Sequence, residues 1–206
     1  VGLRGGEPWQ FAGPINIGGR VTSLAVGSPL VFYAGTGSGG VFKTIDGGAS
    51  FMPIGDDVLS LSIGDVAVDP SSPQTLYVAT GEVNGGGGSL TYGGQGIFRS
   101  PDGGQTWTAL GLEQTGTVGR IRVHPTNPSV IWVAAEGKLY HSDEHRGVYR
   151  SPDGGQTWVK TLFVNDSTGV VDLDVNPRSP DTLYAAAWER RRRADDNHYG
   201  GPGSGL

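Results

Sequence analysis

The 206-residue chain contains no cysteine and a single methionine. Disulfides and thiolate metal sites are thereby excluded, and cysteine usage leaves the cellular compartment open. No apolar run approaches the about 20 residues of a helical membrane span. Basic residues are outnumbered, 15 Lys and Arg against 20 Asp and Glu for a net charge of −5, so no global positive field exists to draw in nucleic acid. The opening Val1-Gly2-Leu3-Arg4 has neither an initiator Met nor the apolar core of a secretory leader, which reads as a mature or trimmed N-terminus.

What the chain has in excess is glycine, 37 residues, well above the average of roughly 7%. The glycines separate short alternating apolar runs, as many tight turns require. Two of those turns are written identically, Ser100-Pro101-Asp102-Gly103-Gly104-Gln105-Thr106-Trp107 and Ser151-Pro152-Asp153-Gly154-Gly155-Gln156-Thr157-Trp158. A looser third copy is Thr44-Ile45-Asp46-Gly47-Gly48-Ala49-Ser50-Phe51. In each, a short Asp side chain can accept backbone N–H groups a few residues on, the glycines supply positive φ, and the hydroxyls tie the two arms. Strand, Asp-Gly-Gly turn and strand make a hairpin, whose closing aromatic belongs in the core beside it.

This pattern resembles the Asp-box of BNR-repeat β-propellers, a group that includes sialidases, xyloglucanase-type glycoside hydrolases, the sortilin ectodomain and photosystem II assembly-factor propellers. The resemblance implies that Asp46, Gly48, Phe51, Asp102, Gly104, Trp107, Asp153, Gly155 and Trp158 are structural. In the family the box lies on the face away from the ligand site. The stretch Gly13-Pro14-Ile15-Asn16-Ile17-Gly18-Gly19-Arg20-Val21-Thr22, with Gly39-Gly40-Val41-Phe42-Lys43-Thr44, is similar to bacterial sortilin-like proteins.

The fold expected is therefore all-β, a single partial propeller over residues 1–206 built of four-stranded antiparallel blades. Blade one covers residues 20–54, blade two 63–110, blade three 118–163 and an incomplete blade four 170–206. The turns Val68-Asp69-Pro70, Val123-His124-Pro125 and Val175-Asn176-Pro177 link first to second strands, where proline ends a strand without needing a ladder donor. Residues 8–13 resemble a strand that follows a box and are assigned to closing the last blade. Residues 203–206 begin a third strand in blade four.

Proline turns and boxes share one face and are nearly uniform, so binding is expected on the opposite face, whose loops vary. Its candidates are Glu82, Tyr92, Glu136, Trp188, Glu189 and the run Arg190, Arg191, Arg192 and Arg193. The run reads either as a solvated loop or as a partner-docking surface, since Arg suits bidentate contacts to carboxylate or phosphate. Aligned innermost positions Ser23, Asp65, Arg120 and Asp172 read as inter-blade ion pairs or as a ligand-coordinating ring. The glycine loop at 85–88 lacks the strand-to-helix context of a phosphate cradle. His141-Ser142-Asp143-Glu144-His145 and Asp195-Asp196-Asn197-His198 match no metal-ligand spacing. No metal or cofactor is expected.

Two functions compete. Glycoside hydrolysis needs two carboxylates facing across the substrate. Around Tyr33-Ala34-Gly35-Thr36-Gly37 the chain looks like xyloglucanase-type propellers, in which a catalytic aspartate follows the threonine; here that position is Gly37. Sialidases carry an Arg-Ile-Pro motif near their start, and Gly18-Gly19-Arg20-Val21 does not match it. The reading preferred is a non-catalytic, extracytoplasmic binding or scaffold propeller. Its partner would be a protein or peptide, with carbohydrate second, and it would serve a larger exported or membrane-associated assembly.

Overall fold

A computed structural model describes residues 20–57, 59–83, 92–193, 195 and 197–206. The expected closing strand at 8–13, the glycine loop at 85–88 and Asp196 lie outside those residues. The described chain is all-β apart from one short 3-10 turn, Glu113–Thr115.

The first sheet is a meander of β1 (Val21–Ser28), β2 (Val31–Thr36), β3 (Val41–Thr44) and β4 (Met52–Ile54). The second repeats it with β5 (Ile63–Asp69), β6 (Ser72–Thr80), β7 (Ile97–Ser100) and β8 (Thr108–Ala109). The third uses β9 (Val118–Val123), β10 (Ile131–Ala135), β11 (Gly147–Ser151) and β12 (Val159–Leu162). A fourth pair, β13 (Thr168–Val175) and β14 (Leu183–Glu189), is joined at Ala187 by an antiparallel bridge from Gly205. A small hairpin of β15 (Arg191–Arg192) and β16 (Asn197–His198) forms within the stretch read as a loop from the sequence. The last strands of the second and third sheets begin only at Thr108 and Val159, because Thr106 and Thr157 are bonded to the turn aspartates Asp102 and Asp153.

The four inner strands share one irregularity. Each skips a residue in its pairing, at Thr22, Gly64, Gly119 and Val171, and the next residue is Ser23, Asp65, Arg120 or Asp172. Such a bulge re-aims the following side chain. Two of the skipped residues are glycines for a steric reason. A Cβ on Gly64 would stand 1.8 Å from the Val118 carbonyl oxygen, and one on Gly119 would stand 2.1 Å from that of Val171. Neighbouring inner strands thus meet backbone to backbone.

Between sheets the packing is a series of equivalent cores. Tyr33 lies with Val66, Leu76 and Val78 in the first core, and Tyr77 with Ile121, Ile131 and Val133 in the second. Trp132 lies with Leu173 and Val170 in the third. Trp107 and Trp158 pack into the core between their own sheet and the one before it. Trp158 also donates its indole N–H to the Leu110 carbonyl at 2.7 Å. The apolar alternation read from the sequence is this set of interleaved faces.

The three Asp-Gly-Gly turns are built alike. In the second, Asp102 Oδ1 accepts the Gln105 and Thr106 amides at 3.0 and 2.8 Å, and Oδ2 accepts the Thr106 hydroxyl. The Ser100 hydroxyl donates to Asp102 and accepts the Gly104 amide. Both glycines of every turn have positive φ, 72° and 95° at Gly103 and Gly104. These hydrogen bonds hold the Asp46 and Asp102 carboxyls down at about 2, with the hydroxyls of Ser50 and Thr106 contributing most.

Candidate functional site

The variable loops leave the ends of β2, β6, β10 and β14, so residues just past those strands are brought to one face. Glu82 follows β6, Glu136 follows β10, and Glu189 and Arg190 close β14. The sequence candidates are thus gathered, but they are not offered to solvent together.

Glu136 is fully buried. Its Oε1 accepts Arg190 Nη1 at 3.0 Å, and its Oε2 lies 3.4 Å from the Thr117 hydroxyl. The same Arg190 nitrogen reaches the Val83 carbonyl oxygen at 2.6 Å, so one guanidinium spans the loops that follow β6, β10 and β14. Burial pushes the Glu136 carboxyl up from its ordinary value, against the pull of Arg190 and then Arg146. Arg146, itself fully buried, donates to the carbonyls of Lys138 at 2.8 Å and Ser167 at 3.2 Å.

The arginine run is therefore not one exposed surface. Arg190 and Arg192 are buried, Arg191 is half-buried and Arg193 is exposed. The Arg190 amide donates to Ser167, just before β13, and the Arg192 amide to Leu139, in the loop between β10 and β11. The expectation of a solvated arginine loop does not hold for Arg190 and Arg192, which are buried: the Arg190 guanidinium is drawn in by Glu136 and the Val83 carbonyl, and Arg192 lies in β15. Stacking accompanies this. The Arg190 guanidinium lies 4.6 Å from the Trp188 ring centroid, and Tyr199 lies 5.8 Å from both Arg190 and Arg192. Glu189 accepts the Gly203 amide at 2.9 Å, while its own amide donates to Ser204 Oγ.

Glu82 is buried and paired with Arg20. Its carboxylate faces Gly37: a Cβ there would stand 2.6 Å from Glu82 Oε2 and 3.3 Å from an Arg20 nitrogen. The space in which a residue-37 side chain would begin is occupied by this pair. Next to it, Ser38, Ser60, Leu61, Ser62, Tyr92 and Gly93 line an open cavity of about 420 Å³. Tyr92 is exposed, and its carbonyl accepts the Ser62 hydroxyl at 3.2 Å.

Along the inner strands, Asp65 Oδ2 accepts the Ile121 amide at 2.9 Å, and Arg120 Nη1 stands 3.4 Å from Asp65 Oδ1. Arg120 Nε donates to Asp172 at 2.6 Å. Arg122 extends the ladder to Asp65 and Asp174, each at 3.6 Å. Burial raises the Asp65 pKa, opposed by the Ile121 amide and the two arginines, whereas the Asp172 carboxyl sits below its ordinary value through Arg120. The sequence pointed to Asp65, Arg120 and Asp172; it missed Arg122, which repeats the pattern two residues on.

Asp143 organises its loop by accepting the Lys138 amide at 2.7 Å and both the amide and the ring Nδ1 of His145. Among the described residues no group of three or more His, Asp or Glu is arranged to hold a metal ion. No described helix is long and apolar enough to cross a membrane.

The architecture defines a class, the β-propeller, and solved structures agree. The chain superposes on an ancestral GH74 enzyme with a TM-score of 0.62 at 20% identity, over 82% of this chain and 22% of that one. It superposes on YCF48 bound to D1 peptide with a TM-score of 0.53 at 12% identity, over 87% of this chain and 53% of that one. By sequence it is similar to a protein of Neosartorya fischeri named "probable oligoxyloglucan-reducing end-specific xyloglucanase", 25% identical over 190 residues. That likeness takes in 82% of this chain but only 22% of the relative's length. No protein-family model matches the chain.

Proposed function

We propose that this chain is a non-catalytic, extracytoplasmic propeller segment of the Asp-box, sortilin-like kind. Its loop face binds a protein or peptide partner, in service of a larger exported or membrane-associated assembly. The observation that carries the reading is the state of the loop-base carboxylates. Glu136 is enclosed with Arg190, Glu82 is held by Arg20, and Glu189 accepts a backbone amide. A hydrolase needs a carboxylic acid and a carboxylate open to the substrate on opposite sides of the scissile bond. Glu136 and Glu82, held in ion pairs, serve the framework, and among the described residues Tyr92 with the serine hydroxyls of the adjoining cavity offers a surface for recognition. An exposed aromatic beside hydrogen-bonding groups is a common anchor for a peptide. The propeller solved with a bound peptide is a precedent for the fold in that role.

A second reading, glycoside hydrolysis, is favoured by the xyloglucanase relative and by the placement of Glu82, whose carboxylate stands against residue 37. Selection of a displayed random-peptide library with the purified chain tests the first reading. Peptides whose affinity falls at least tenfold with Tyr92→Ala are expected. Sequences that bind equally to wild type and Tyr92→Ala, or a requirement for xyloglucan oligosaccharide in their place, would overturn it.

A further inference from the structure

The junction between the first and second sheets and that between the second and third are built alike but filled differently. Lys43 pairs with Tyr33 as Arg99 pairs with Tyr77. The Gly103 amide donates to the Gln74 carbonyl as the Gly154 amide donates to that of Ser129, both at 2.7 Å. Over Gly103 the space is taken. A Cβ there would stand 2.6 Å from Gln74 Oε1, 2.8 Å from Lys43 Nζ and 3.5 Å from the Tyr33 hydroxyl. Lys43 Nζ donates to the Gly103 carbonyl at 2.8 Å and lies 5.6 Å from the Tyr33 ring centroid.

Over Gly154 no described atom lies within 4 Å of a built Cβ. The shorter Ser129 stands where Gln74 does, and Arg99 lies beside the Tyr77 hydroxyl. Between the second and third sheets, each with its four strands, this leaves a cavity of about 470 Å³ whose walls include Asp69, Tyr77, Arg99, Ser129, Asp153 and Gly154. Asp69 is 7% exposed; its Oδ1 accepts the Ser71 amide and hydroxyl, and its Oδ2 accepts no hydrogen bond among the described residues. The Gly154 carbonyl, counterpart of the one that Lys43 reaches, likewise accepts none. Neither Asp69 nor Arg99 forms an ion pair with a described residue. An enclosed carboxylate is costly until a cation joins it.

We infer that this cavity binds a primary alkylammonium group, held by the Gly154 carbonyl, the Asp69 carboxylate and the Tyr77 ring. The protein supplies its own template, the Lys43 ammonium on the Gly103 carbonyl and the Tyr33 ring. An ammonium brings three donors and no acceptor, which suits a wall of unused acceptors, and its charge is attracted to an aromatic face. Asp69 and Asp153 outnumber the single guanidinium of Arg99 on that wall, so an anion is the wrong occupant. The site lies on the face of the Asp-Gly-Gly turns, away from the loops to which partner binding is assigned above, and stands independently of that reading. A peptide's lysine side chain and a small free amine carry the same group.

The test is a titration of the nitrogen-15-labelled chain with n-butylammonium chloride, followed by amide chemical shifts. Gly154 and Ser129 are expected to move, with a Kd on the order of 1 mM for so small a ligand, while Gly103 stays still. Ser129→Gln, which brings in the side chain that fills the first junction, should weaken binding roughly tenfold or more. Asp69→Asn should do the same without loss of thermal stability, since Asn176 Oδ1 accepts an amide in the matching turn between β13 and β14. Nα-acetyl-lysine methylamide separates the two sources: binding at least as tight as that of butylammonium assigns a peptide lysine, and its exclusion assigns a free amine. Butyrate and 1-butanol should leave Gly154 unmoved. Absence of a shift with butylammonium, an equal shift with butyrate or butanol, or unchanged affinity in both variants would overturn the inference.

Discussion

Arg190, at the end of β14, donates to Glu136, at the end of β10, from a position where both side chains are closed off from solvent. A charge pair in that setting is weak evidence of stability but strong evidence of commitment. Removing one partner leaves the other buried and unpaired, at a cost of about 3–5 kcal/mol. Glu136→Ala should therefore destabilise the chain by that amount. The double variant Glu136→Leu/Arg190→Met should lose less than either single change. Denaturant unfolding of wild type, Glu136→Ala, Glu136→Leu, Arg190→Met and the double variant checks both statements.

The turn aspartates make stability depend on acid. Asp102 sits at about 2 when folded against an ordinary 3.8, so the folded state holds fewer protons in that interval. The contribution is complete above pH ~4 and is lost as pH falls toward ~2. Asp153 is lowered through Thr157 in the same sense. The variant Asp102→Asn/Asp153→Asn is expected to unfold more easily at neutral pH and to show a shallower decline of stability from pH 4 to 2. Thermal melts across that range measure the slope.

Gly119 is required by its neighbour. With a Cβ 2.1 Å from the Val171 carbonyl oxygen, Gly119→Ala must push two inner strands apart, and about 1–3 kcal/mol is the usual cost of overpacking. Gly93, where no described atom lies within 4 Å of a built Cβ, is the control. Gly93→Ala should stay within about 0.5 kcal/mol of wild type. Paired melting curves decide between a steric requirement and a general intolerance of change.

His124 takes the place of an Asx residue. Its Nδ1 accepts the Thr126 and Asn127 amides at 3.2 and 3.0 Å, as Asp69 Oδ1 accepts Ser71 and Asn176 Oδ1 accepts Arg178 in the matching turns. Accepting both leaves Nδ1 without a proton, so the hydrogen is on Nε2. His124→Asn should remain within about 1 kcal/mol of wild type, whereas His124→Ala strands two amides and uncovers Trp132, at a cost of about 1–3 kcal/mol. Chemical denaturation of both variants distinguishes them.

The strands and turns were legible because their causes are local: two-residue alternation, positive φ at Gly103 and Gly104, and an aspartate reaching amides three and four residues ahead. The inner-strand ladder of Asp65, Arg120 and Asp172 was legible as well, since repeats can be aligned. The fate of Arg190 was not. Its partners, Val83 and Glu136, lie 107 and 54 residues away in sequence, and a run of four arginines carries no mark of which ones a hairpin turns inward. Arg146 was missed for the same reason. One weak signal existed: a basic residue immediately before the Gly147 that opens a strand, inside a loop otherwise rich in acid and histidine.

The proposal is that the carboxylates at the loop bases hold the propeller together rather than act on a substrate. Incubating the purified chain with xyloglucan oligosaccharides and following new reducing ends, for wild type and for Glu82→Gln, tests it most directly. The account predicts no release above the protein-free rate from either protein. Steady release by wild type that Glu82→Gln abolishes, in a variant that still folds, would contradict it.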